Sequence, residues 1–107
     1  MIAIKQGVRL AGVKVEMVVA LAVVEGVYRE YGYTCTITSG LEGLHAKHSR
    51  HYLGMALDFR IRHIKSMEEL NHIYKAIKAD LGEEFNVRLE KDHLHVSFKP
   101  RGIKHAT

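Results

Sequence analysis

SRHYLGMALDFRI, residues 49–61, carries a His, a Gly and an Asp and closes in a strict alternation. Met55, Leu57, Phe59 and Ile61 fall on one side; Ala56, Asp58 and Arg60 fall on the other. A period of two is the mark of a strand with one buried face, so these residues predict a strand. Gly54 allows the tight turn that would fold the preceding loop back onto it. His51 and Asp58 then have two readings. They are a loop His and a surface Asp at the entrance to an ordinary strand, or they are two ligands of one metal ion.

The flanking sequence supplies the rest of the architecture. Residues 13–31 read as a helix that is apolar over most of its surface, with Glu25 and Arg29 as an i,i+4 pair and Gly32 just past its end. Its apolar run at 17–24 is too short to span a bilayer. Glu16 and Glu25 bracket that run, so a buried helix accounts for it better than a signal peptide does. YTCTIT at 33–38 alternates as a half-buried strand in which Cys35 is a core residue, not a nucleophile or ligand. Residues 39–54 form a long polar loop, and loops of that length in a small domain are usually functional or disordered.

Downstream, residues 66–82 predict a second helix. Ser66 and Glu69 make a capping box, Gly82 is the stop, and Met67, Leu70, Ile73, Tyr74, Ile77 and Leu81 form its apolar stripe. Residues 84–90 and 93–99 alternate as two strands joined by Lys91-Asp92. A two-residue hairpin there would set Glu90 opposite His93 and Arg88 opposite His95. The expected fold is a single α+β domain over residues 1–107. A small antiparallel or mixed sheet is covered on one face by two helices, and the open face gathers Thr34, Thr36, Asp58, His93 and His95, either an ordinary polar sheet face or the place of a metal site.

Composition narrows the function classes. The chain has 107 residues, 47% apolar and 26% charged, which is ordinary for a globular domain and excludes wholesale disorder. A lone Cys excludes an internal disulfide. A net charge of +4 favours an anionic partner, a wall polymer or a nucleic acid, and only weakly. No nucleic-acid module surrounds the basic tail at 99–107, which reads as frayed, so nucleic-acid binding and membrane insertion are not expected.

Two motifs add a resemblance. Ser49, His51, Gly54, Ala56 and Asp58 match Ser-x-His-x-x-Gly-x-Ala-x-Asp at every fixed position. DHLHVSF, residues 92–98, matches a later His-x-His with an acid three residues before its second His. Together they resemble the zinc D-Ala-D-Ala carboxypeptidase and L-alanyl-D-glutamate endopeptidase family, which includes phage endolysins and shares the Hedgehog-type fold. The resemblance covers roughly residues 12–98. It implies one Zn2+ per chain held by His51, Asp58 and His95. It implies Asp92 as general base and His93 beside the reacting groups, stabilising the transition state. The expected substrate is the peptide part of peptidoglycan. With no convincing signal segment, the expected setting is synthesis in the cytoplasm and action on the wall, as a released endolysin or a virion-borne enzyme.

One position departs from the family, which often carries an Arg shortly after Ser-Gly. Leu41 and Glu42 stand there, with Arg50, Arg60, Arg88 and Lys47 as substitutes the sequence cannot choose between. Glu90 rivals Asp92 as base, because Glu90-x-x-His93 has the same spacing. Ser49 reads as a hydrogen-bonding support, and His45 and His48 as a solvated loop or extra ligands. A catalytically inactive zinc-binding domain and a small basic nucleic-acid-binding domain remain alternatives.

Overall fold

The structure is a computed structural model, and it describes residues 1–42, 51 and 53–99. The elements run β1 (Ile2–Ile4), α1 (Val15–Glu30), β2 (Cys35–Ser39), β3 (Ala56–Arg60), α2 (Met67–Leu81), β4 (Phe85–Leu89) and β5 (His93–Phe98). The strands form one five-stranded sheet in the order β1-β2-β3-β5-β4. β1 pairs parallel to β2, and every other pairing is antiparallel, so the sheet is mixed.

Each helix ends where local chemistry ends it. α1 closes in a Schellman motif: Tyr33 N–H donates to the Tyr28 carbonyl at 2.9 Å and Gly32 N–H to that of Arg29 at 3.0 Å. Gly32 takes the left-handed φ of 83° that this motif needs. α2 starts at Ser66, whose hydroxyl accepts from Glu69 N–H at 3.1 Å, and stops at Gly82. The helices then cover one face of the sheet. Met17, Ala20, Val24, Val27 and Tyr28 of α1 and Leu70, Ile73 and Ile77 of α2 join Ile37, Leu57, Phe59, Leu94 and Val96 in one core.

Three details differ from the sequence reading. α1 is not buried all round: Val15, Val18 and Val19 lie on its solvent side, because a single sheet face covers only one stripe of a helix. Met67 sits in the first turn of α2, outside the core stripe, and is exposed. β1 was not anticipated. It has three residues, with only Ala3 half-buried, so it carries no periodic signal, and backbone pairing to β2 is what makes it a strand.

The segment between β1 and α1 braces the loop leading into β3. Gly54 accepts from Lys14 N–H at 2.9 Å and has a φ of 72°. A Cβ at Gly54 would lie 2.1 Å from the Gly12 carbonyl oxygen. Gly54→Ala is therefore expected to destabilise the fold by about 3 kcal/mol or more, combining left-handed strain with a backbone clash. Gly32→Ala, where a Cβ would meet nothing, should cost only about 1–2 kcal/mol for its φ. Urea unfolding of the two variants beside the parent checks the difference.

Candidate metal centre

The β3–β5 register builds the floor of the site. Asp58 stands directly opposite His95, Arg60 opposite His93 and Ala56 opposite Ser97. The alternate pairs, Leu57–Val96 and Phe59–Leu94, face the helices. The hairpin register matches the sequence expectation, with Arg88 opposite His95 and Glu90 N–H donating to the His93 carbonyl at 2.9 Å. Phe85, Val87 and Leu89 thereby share the core side of β4 and leave Arg88 on the site side.

His51 enters from the loop. A turn bonds Gly54 N–H to the His51 carbonyl at 3.1 Å and brings the imidazole over Asp58. Its Nδ1 donates to the Gly40 carbonyl at 2.8 Å, which orients the ring. Gly40 is in place because β2 carries a bulge. Ile37 pairs with Phe59, but Ser39 pairs with Asp58, so one extra residue is inserted at Thr38. Bulges of this kind re-aim a strand end.

Glu42 secures that strand end. Its carboxylate accepts at 2.8 Å from each of Arg9 N–H, Ser39 Oγ–H and Gly40 N–H. Burial pushes the Glu42 pKa up, and these hydrogen bonds outweigh it and hold the group ionised. Glu42, the second residue after Ser39-Gly40, is thus a structural anchor. Nothing in the sequence announced it, because all of its partners depend on the folded turn.

The converging atoms fit a metal ion. Asp58 Oδ1 lies 3.2 Å from His51 Nε2 and 2.9 Å from His95 Nδ1. One ligand atom from each of the three residues falls within 4.8 Å of the others. A tetrahedral ion bound at about 2.0–2.1 Å needs neighbouring donors about 3.3 Å apart. The set is also chemically apt, since two imidazoles and a carboxylate suit a first-row divalent metal. His51 and His95 are buried, and Ser97 and Thr36 are the other buried polar residues described. Of the expected ligands, His51, Asp58 and His95 are therefore brought together. His93 stays outside the cluster, with its Nε2 3.7 Å from Asp58 Oδ2.

Electrostatics in the metal-free state follow from this packing. Burial disfavours a charged Asp58, but hydrogen bonds from His51 and His95, with the charge of His51 and His93, hold its pKa well below the usual carboxylate range. Burial likewise disfavours a charged His51. The hydrogen bond and charge of Asp58, then the Gly40 carbonyl, outweigh that and raise its pKa. Burial pushes the Cys35 thiol up to about 12, in keeping with a core residue and not a nucleophile.

The remaining expected residues are placed as follows. Asp92 Oδ1 accepts from His93 Nδ1 at 2.7 Å, and that bond and the charge of His93 keep the carboxylate ionised. Asp92 and His93 line a cleft of about 220 Å³ together with Asp58. Glu90 does not line it and pairs instead with Arg88 at 3.6 Å. His63, given no role from the sequence, bonds the Thr34 carbonyl at 2.8 Å. His45, Lys47, His48, Ser49 and Arg50 lie outside the described residues, as does the tail from residue 100. Among the described residues no helix is long and apolar enough to cross a membrane. No protein-family model matches the chain, and no curated protein matches it significantly.

The protonation pattern makes a testable difference between the metal-free and metal-loaded protein. A raised folded pKa at His51 stabilises the fold fully below the unfolded value of about 6.5, and that contribution is lost as pH rises through the folded value. Asp58 works in the opposite sense, adding stability above about pH 3.9 that is lost as pH falls through its lowered folded value. With chelator present, melting temperature should therefore fall between about pH 6 and pH 8, and Asp58→Asn should flatten that slope. With a saturating divalent ion the sign reverses, because metal competes with protons for His51 and His95. Thermal melts in the two conditions check both signs.

Proposed function

We propose that this chain is a zinc-dependent peptidase that hydrolyses the peptide stem or cross-link of bacterial peptidoglycan. The observation that carries the reading is the convergence of His51, Asp58 and His95, from a loop and two strands, on a single point beside an open cleft. Two imidazoles and one carboxylate are a ligand set of catalytic zinc, which keeps a position for solvent. The order and spacing of the residues around these ligands resemble the wall peptidases named above.

A bound zinc ion would polarise the scissile carbonyl and lower the pKa of the attacking water toward about 7. The chain's own groups supply the rest. His51, Asp58 and His95 would hold the ion, and the Gly40 carbonyl fixes the His51 ring so that Nε2 faces Asp58. Asp92 is ionised and lines the same cleft, so it would take a proton from the attacking water and pass it to the leaving amine. His93 lies between Asp92 and Asp58, 2.7 Å from one carboxylate and 3.7 Å from the other, and from there would stabilise the negative charge that develops on the reacting carbonyl. Among the wall peptidases resembled, both carboxypeptidases and endopeptidases act on such stems, and mass spectrometry of the released muropeptides names the bond.

Purified peptidoglycan incubated with the protein should lose turbidity, and chelator should stop the loss. His51→Ala and His95→Ala should abolish both zinc content and activity. Asp92→Asn should keep zinc yet lower kcat by about 10²- to 10⁴-fold, the usual contribution of a general base. A stoichiometric zinc content with no release of peptides from any wall type would instead support a zinc-binding module without catalysis.

A further inference from the structure

We propose that Lys5, Arg60 and Arg62 form a carboxylate-binding subsite beside the candidate metal centre, so that the preferred substrate is a peptide with a free carboxylate close to the scissile bond. The inference rests on the peptidase reading for the identity of the ligand. The grouping of the cations does not depend on it.

The three cations come from two places in the chain. Lys5 follows β1, Arg60 ends β3 on the site face, and Arg62 lies just beyond it. They meet around one cleft of about 220 Å³ whose other walls are Thr38, Asp58, Asp92 and His93. Among the described residues none of the three forms an ion pair, whereas Arg29 and Arg88 each do. Asp58 is committed to the imidazoles, and Asp92 is bonded to His93. The three cations outnumber the two carboxylates of the same cleft, Asp58 and Asp92, so the lining keeps an excess of positive charge that an anionic guest would neutralise.

The chemistry favours a carboxylate over a generic anion. Guanidinium groups present planar pairs of N–H donors that match a carboxylate in two parallel hydrogen bonds. Asp58 and His93 share the cleft with the cations, so an anion held there lies next to the bond to be cut. A stem peptide supplies such a group in the α-carboxyl of its D-glutamate or at its C-terminus. A neutral or fully amidated peptide supplies none.

The test measures binding, and it separates this proposal from the peptidase reading. Isothermal titration of the full chain, zinc-loaded and metal-free, would use the pentapeptide L-Ala-γ-D-Glu-L-Lys-D-Ala-D-Ala and its counterpart with every α-carboxyl amidated. The free-acid peptide is expected to bind about tenfold tighter or better, a preference that shrinks at high salt. The double variant Arg60→Gln/Arg62→Gln should lose the preference while retaining stoichiometric zinc. Lys5→Gln, at an exposed residue outside the strands, should weaken the preference about two- to threefold, which keeps the test usable if the double variant fails to fold. Equal affinity for the two peptides, no binding of either, or a preference that survives in these variants overturns the subsite. A protein that takes no zinc but still discriminates would sink the peptidase reading and leave the subsite standing. Zinc uptake without discrimination would do the reverse.

Discussion

Asp58 faces His95 across β3 and β5, with 2.9 Å between carboxylate and imidazole, and the rest of the site is arranged around that pair. The pairing exists because Leu57, Phe59, Leu94 and Val96 must all turn toward the helices. A slip of one residue between the strands would expose those four and bury the polar set. The hydrophobic core therefore holds the register, and the register holds two of the three candidate ligands. The candidate metal site and the fold share one constraint here.

The third ligand is positioned by different means. His51 sits on no regular element, and its place depends on two close backbone approaches. Gly54 packs against Gly12, and a Cβ at Gly40 would lie 2.3 Å from the Arg9 carbonyl oxygen. Glu42 ties the same two segments together through Arg9 N–H, Ser39 Oγ–H and Gly40 N–H. The stretch between β1 and α1 has no helix or strand of its own, yet it clamps both ends of the loop that delivers the imidazole. A carboxylate partly withdrawn from water at a turn is favourable only with several donors aimed at it, and Arg9 N–H, Ser39 Oγ–H and Gly40 N–H supply them to Glu42.

Much of the architecture was legible beforehand because it is written in local, periodic signals. The alternation at 55–61 and 93–99 reports a half-buried strand directly, and both strands lie within one residue of the expected bounds. Ser66 with Glu69 and Gly32 past α1 are local hydrogen-bonding devices whose partners lie within a turn, so they also read correctly. β1 was not legible, because three residues paired only through their backbone show no pattern. The bulge at Thr38 was not legible either, since alternation through 33–38 looks unbroken in sequence.

What the sequence by itself determined was the two helices and four of the five strands, the side of each of those four that meets the core, and the residues with the chemistry to bind a metal. Those follow from hydrophobic period and from side-chain type, which each short segment carries alone. The two motifs had already named His51, Asp58 and His95 as a set; only the tertiary structure brings their atoms to one point and decides what stands around them. His95 joined the cluster and His93 stayed outside it, Asp92 lined the cleft and Glu90 did not, and Lys5 met Arg60 and Arg62. These outcomes turn on long-range strand order, a single inserted residue and contacts between backbones far apart in the chain, none of which leaves a periodic trace in the segments involved.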